Sequence, residues 1–134
     1  MTKYLIAYAA TLVVMVALDM LWLGLVAKSF YQQGIGHLMA GQPNIAVAVL
    51  FYLVYAIGLV VFAVAPGGQT AGWSTTLALG AMFGFFAYAT YDLTNLATLK
   101  DWPLGVALVD MAWGSLVSAV SVAAGKAALD RFVA

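Results

Sequence analysis

The chain has no cysteine, no glutamate and a single histidine. The missing cysteine excludes disulfides, thiolate metal sites and cysteine nucleophiles. One histidine cannot build a histidine-based metal site alone. Charge of either sign is scarce: five Lys and Arg stand against five Asp, for a formal net charge of zero. With no basic cluster there is no electrostatic footprint for a nucleic acid, and no such partner is expected. No nucleophile motif, phosphate-binding loop or metal-ligand spacing occurs either. No metal is therefore expected, and no cofactor is indicated.

Apolar residues are what remains. Of 134 residues 66% are hydrophobic and 7% charged, with a mean hydropathy of +1.04. A soluble domain of this length has too little interior to hide so much apolar surface. The natural solvent is a bilayer, where a spanning helix needs roughly 20 apolar residues. Four runs qualify, at about 4–26, 43–64, 73–98 and 103–126. They are about twice the length of a barrel strand and do not alternate, so helices are expected. The expected fold class is an all-α membrane protein: a four-transmembrane-helix antiparallel bundle, one membrane domain over 1–134. Met1-Thr2-Lys3 ahead of the first run reads as the start of a retained span rather than a cleaved signal.

The connections carry their own signals. The stretch 27–42 is the longest and still holds Phe30, Tyr31, Ile35, Leu38 and Met39. It should lie at the headgroup level as a short interfacial segment, with His37 solvated. Pro43 suits the first turn of the second helix. Pro66-Gly67-Gly68 should stop that helix. Asp101 is expected as an N-cap, with Pro103 in the first turn of the fourth helix. Trp73 and Trp102 read as interface-belt residues. Four spans put both termini on one side, with Lys3, Lys126 and Arg131, against Lys28 and Lys100 on the other. The positive-inside rule then gives cytoplasmic termini.

Carboxyl groups inside the spans are the informative exceptions. Asp19 lies late in the first span, Asp92 late in the third and Asp110 early in the fourth. In an antiparallel bundle these positions share one depth, about 10 Å from the non-terminal boundary at 1.5 Å per residue. Leu18-Asp19-Met20-Leu21-Trp22 echoes Val109-Asp110-Met111-Ala112-Trp113, and the Asp–Trp spacing puts both side chains on one helix face. Gly80, Gly84, Tyr88, Asp92 and Asn95 follow helical steps, as do Asp110, Gly114, Ser118, Ser121 and Gly125. Tyr8, Met15, Asp19 and Trp22 form a matching stripe. Small residues let helices approach and polar ones bond across the contact, so these stripes should face inward. Three lipid-facing Asp residues would cost roughly 8–10 kcal/mol, against about 4 kcal/mol to protonate one of them. At least one of the three should therefore keep its proton, in a coupled titration. The candidate ligand-binding residues are Asp19, Trp22, Tyr52, Tyr55, Tyr88, Tyr91, Asp92, Asn95, Asp110 and Trp113.

Three stretches carry a family likeness. FYLVYAIGLVVFAV (51–64), GAMFGFFAYATYDLTNLATLKDWP (80–103) leading into VDMAWG (109–114), and DMLWLG (19–24) resemble the DUF2177 family of bacterial membrane proteins. The resemblance implies a small four-helix integral protein of the bacterial inner membrane, and it brings no activity with it. From the residues, the first functional reading is binding or transport of a small amphipathic or cationic ligand, coupled to protons. A wall of four short helices is thin, so a transporter would act as a homodimer. The alternatives are a membrane enzyme acting on a lipid or isoprenoid, with Asp as acid or base or with Mg²⁺ on three Asp, and a structural or lipid-binding subunit.

Overall fold

Residues that are apolar around the whole helical circumference make helices that bury only a narrow strip and leave the rest to lipid. The computed structural model, which describes residues 1–67 and 72–131, has that form. Its five helices are α1 (Thr2–Val26), α2 (Lys28–Ile35), α3 (Ile45–Gly67), α4 (Trp73–Thr98) and α5 (Leu104–Asp130). A 3₁₀ turn, Gly36–Leu38, follows α2. Helices α1, α3 and α5 are each long and apolar enough to cross a membrane. Helix α4 has 26 residues but falls outside that group. Its threonines, Asp92 and Asn95 lower its hydropathy.

Small residues set the packing. On α4, Gly80 faces Ser118 and Ala119 of α5, and Gly84 faces Gly114 and Ser118. On α5, Gly125 faces Ala7 and Thr11 of α1. These pairings, with Trp113 reaching Asp19 further along α1, run in opposite directions along each helix pair, so α4 and α1 both lie antiparallel to α5. Ser115 Oγ donates to the Ala81 carbonyl at 2.9 Å, across the α4–α5 contact. The Ser121 hydroxyl does not bridge helices; it donates to the Val117 carbonyl of its own helix at 2.6 Å.

The ends of the helices differ from expectation in three places. Pro43 lies outside α3, and Asn44 is the cap: its side chain accepts from Val47 N at 3.2 Å. Helix α3 continues through Pro66 to Gly67, preceded by a π-turn at Val60–Val64. Proline cannot donate into the ladder, and the wider turn just ahead of it accommodates the lost bond. Gly68 lies outside the described residues. Asp101 does not cap α5, which begins at Leu104 after an extended Pro103. It sits at φ 64° in the turn between α4 and α5, with its carboxylate 3.6 Å from His37 Nε2. Asp tolerates that left-handed geometry better than most side chains. His37 is half exposed.

The close approaches make a direct test. A Cβ on Gly114 would overlap the Tyr88 ring, and one on Gly84 would overlap the Gly114 carbonyl and Ser118. Gly84→Ala and Gly114→Ala should each destabilise the fold by about 1–3 kcal/mol through overpacking. Gly105→Ala meets nothing within 4 Å and should be neutral or stabilising by up to about 1 kcal/mol. Thermal unfolding of the three variants in detergent checks this.

Candidate functional site

The carboxyl groups of Asp19, Asp92 and Asp110 lie toward the end of the bundle that carries α2, while the buried Thr11, Thr76, Ser121 and Lys126 lie nearer the other end. Asp19 of α1 is buried and takes two hydrogen bonds. Trp113 Nε1 donates to Oδ1 at 2.8 Å, and the Tyr52 hydroxyl donates to Oδ2 at 2.7 Å. One carboxyl thus ties α1 to α5 and α3. Asp110 of α5 accepts from the Tyr31 hydroxyl at 2.9 Å, and Trp22 Nε1 donates to that same hydroxyl at 3.1 Å. Trp22 also stacks flat on Trp113, with ring centroids 4.4 Å apart. The chain Trp22–Tyr31–Asp110 and the chain Tyr52–Asp19–Trp113 are therefore joined through the indole stack.

Asp92 is different. It is fully buried, and neither carboxyl oxygen has a hydrogen-bond partner among the described residues. The Asp110 carboxyl is the titratable neighbour close enough to act on it. Two carboxyl groups thus face one another from α4 and α5 with no basic group between them. Buried carboxyls without partners are rare, and they mark places where a proton or a cation belongs.

These groups surround a cavity of about 490 Å³. Asp19, Tyr52, Tyr55, Tyr88, Tyr91, Asp110 and Trp113 all line it. Tyr55 is buried and shares a hydrogen bond of 2.8 Å with Ser118 Oγ, which fixes α3 to α5. Tyr91 is more than half exposed and packs edge-on against Trp102. Three residues expected at the site stand back from the wall. Trp22 lies behind Trp113, Asp92 behind Asp110, and Asn95 one turn beyond Tyr91.

The cavity also has walls that the sequence reading placed elsewhere. Trp102, expected in an interface belt, is buried against Val106, and its indole N–H has no partner among the described residues. Tyr31, Ile35 and Met39 close the cavity from the connection between α1 and α3. The periodicity that could have revealed this is Ala27, Tyr31 and Ile35, spaced four apart. That spacing gives α2 one apolar face to lay on the bundle. Burial pushes the Tyr31 hydroxyl above the ordinary tyrosine range, against an opposing effect of the Trp22 bond. Tyr31 therefore stays a donor at any physiological pH. Tyr31→Phe removes the bond to Asp110 and the acceptor for Trp22. It should lower stability by about 1–2 kcal/mol and leave α2 more open to hydrogen exchange.

Among the described residues no three His, Cys, Asp or Glu side chains gather closely enough to hold a metal ion. Asp19 stands apart from the Asp92–Asp110 pair, and the geometry gives no support to Mg²⁺ bound by all three. A family model described as a predicted membrane protein (DUF2177) matches residues 4–127. No curated protein and no solved structure matches the chain.

Proposed function

We infer a function from the premise that the chain belongs to the DUF2177 family of membrane proteins, a membership that assigns it no reaction. The reading the cavity supports best is a binding and transport module for a small organic cation with apolar surface. One observation carries it: Asp19 and Asp110 open onto a cavity walled by tyrosine and tryptophan, with no Lys, Arg or His among its lining residues. Acidic groups in an apolar medium need a positive partner. The aromatic faces add cation–π attraction, which strengthens when the cation is desolvated. A space of about 490 Å³ suits an organic molecule rather than a bare ion.

Two further parts complete the reading. Helix α4 crosses the bilayer as a fourth span: at 26 residues it is about 39 Å long and packs along α5. Asp92 is turned inward and Asn95 is half-buried, while Thr90 and Thr98 are exposed and bond their hydroxyls to carbonyls one turn back on α4. The termini are cytoplasmic, in the bacterial inner membrane, by the excess of Lys3, Lys126 and Arg131 over Lys28 and Lys100. A bound cation and a proton compete for the Asp92–Asp110 pair, and this couples cation entry to proton release. A second copy of the chain supplies the rest of the translocation path.

Tetraethylammonium uptake into proteoliposomes with an acidic lumen tests this reading. Uptake above that of empty liposomes is expected, together with its loss in Asp19→Asn and Asp110→Asn. Uptake equal to that of empty liposomes contradicts transport.

A further inference from the structure

A second space lies behind the cavity's α3 wall. A groove of about 460 Å³ runs on the outer side between α3 and α4, lined by Val47, Leu50, Val54 and Phe83. Phe51, Tyr55 and Ala87 line both this groove and the cavity. The two spaces therefore share a wall.

The backbone explains the gap. Through its π-turn, Val60–Val64, α3 packs closely on α4. The stretch Ile45–Leu59 ahead of that turn stands off from α4 and is held instead against α1. Phe83 bridges the lower end of the gap: its ring meets Tyr55 edge-on at 5.3 Å and stacks on Phe62 at 6.0 Å. Above it, Val47, Leu50 and Val54 are more than half exposed. A π-turn at the point where one helix leaves its neighbour is a feature often found at functional sites.

We propose that the ligand is a single-chain amphiphile with a cationic head, which enters sideways from the bilayer between α3 and α4. The head lies among Asp19, Asp110 and the tyrosines. The apolar chain passes Phe51 and Ala87 and rests in the groove along Val47, Leu50 and Val54. This rests on the cation-binding reading above and adds the tail, its place and its route. The adjacency of the two spaces, parted by Phe51, Tyr55 and Ala87, decides for this occupant over a compact cation. An acidic, aromatic chamber lies beside a groove that is apolar but for Tyr55, and the polarity changes from one to the other as it does along an amphiphile.

Photo-crosslinking of the full chain in zwitterionic-lipid nanodiscs tests it. The probe is a dodecyltrimethylammonium with a diazirine at the end of its chain. Adducts should concentrate on Val47, Leu50 and Val54. They should fall at least fivefold with excess tetraphenylphosphonium and in Asp110→Asn, while a neutral probe with a hydroxyl head shows no such preference. Competition on the unaltered protein gives the reading even if the variant folds poorly. Adducts as dense on the outer faces of α1 and α5 as in the groove overturn the proposal. So does groove labelling that neither competition nor Asp110→Asn reduces. If tetraphenylphosphonium binds through Asp110 while the tail avoids the groove, the tail assignment fails and the cation site stands. If neither cation binds, the cation site fails and takes this inference with it.

Discussion

Asp19→Leu is expected to lower the unfolding free energy by about 2–4 kcal/mol, the largest stability effect of any single polar substitution in the bundle. The volume is nearly kept, so the loss is one of hydrogen bonds. Trp113 Nε1 and the Tyr52 hydroxyl both lose their acceptor in an interior that offers no replacement. An ordinary interhelical bond in a membrane is worth only about 0.6 kcal/mol, because the separated helices also find partners. Here two donors from different helices converge on one buried acid, and orphaning each costs about 1–3 kcal/mol. Asp19→Asn keeps one acceptor oxygen and should lose about half as much. Thr90→Ala is the control: its hydroxyl serves only the Phe86 carbonyl on its own exposed turn, and the change should stay within about 0.5 kcal/mol. Thermal unfolding in detergent measures all three. Tryptophan emission should shift in Asp19→Leu, since Trp113 carries the stack with Trp22.

The second large effect falls on binding. Asp110→Asn is expected to weaken tetraphenylphosphonium binding about a hundredfold. At about 5 Å and an effective dielectric constant near 20, one carboxylate holds a unit cation by about 3 kcal/mol, which corresponds to that factor. Asp92→Asn should give a smaller loss, since Asp92 stands behind Asp110 rather than on the cavity wall, and should reduce the protons released per cation bound. Asp101→Asn should leave the affinity within about twofold, because that carboxylate lies in the solvent-exposed turn before α5. Isothermal titration in two buffers of different ionisation enthalpy reads affinity and proton release together.

Run length and the absence of alternation made the helices legible from the chain alone, and α1 and α4 end where the sequence places them. The inward stripes were equally legible. Gly84 and Gly114 sit where α4 and α5 nearly touch, and a glycine at a four-residue step has few other uses in an apolar helix. The common depth of Asp19, Asp92 and Asp110 followed from antiparallel order, because depth in a bundle is close to a count of residues. The groups that close the site were harder to see. Tyr31 sits in a connection; the spacing of Ala27, Tyr31 and Ile35 marks an apolar face, but not which part of the bundle that face covers. Trp102 flanks a proline turn, and an indole there serves a membrane interface as readily as an interior. The π-turn at Val60–Val64 was hidden as well, for a widened turn leaves no composition of its own behind; only Pro66, two residues later, hints at it.

The central claim is that the acidic level exists to hold a cation. Anomalous scattering from crystals grown with tetraphenylarsonium tests it most directly. The arsenic peak is expected inside the cavity, within about 6 Å of a tyrosine or tryptophan ring and beside Asp110. A peak found only on the lipid-facing surface, or no peak with the cation at saturation, would contradict the account.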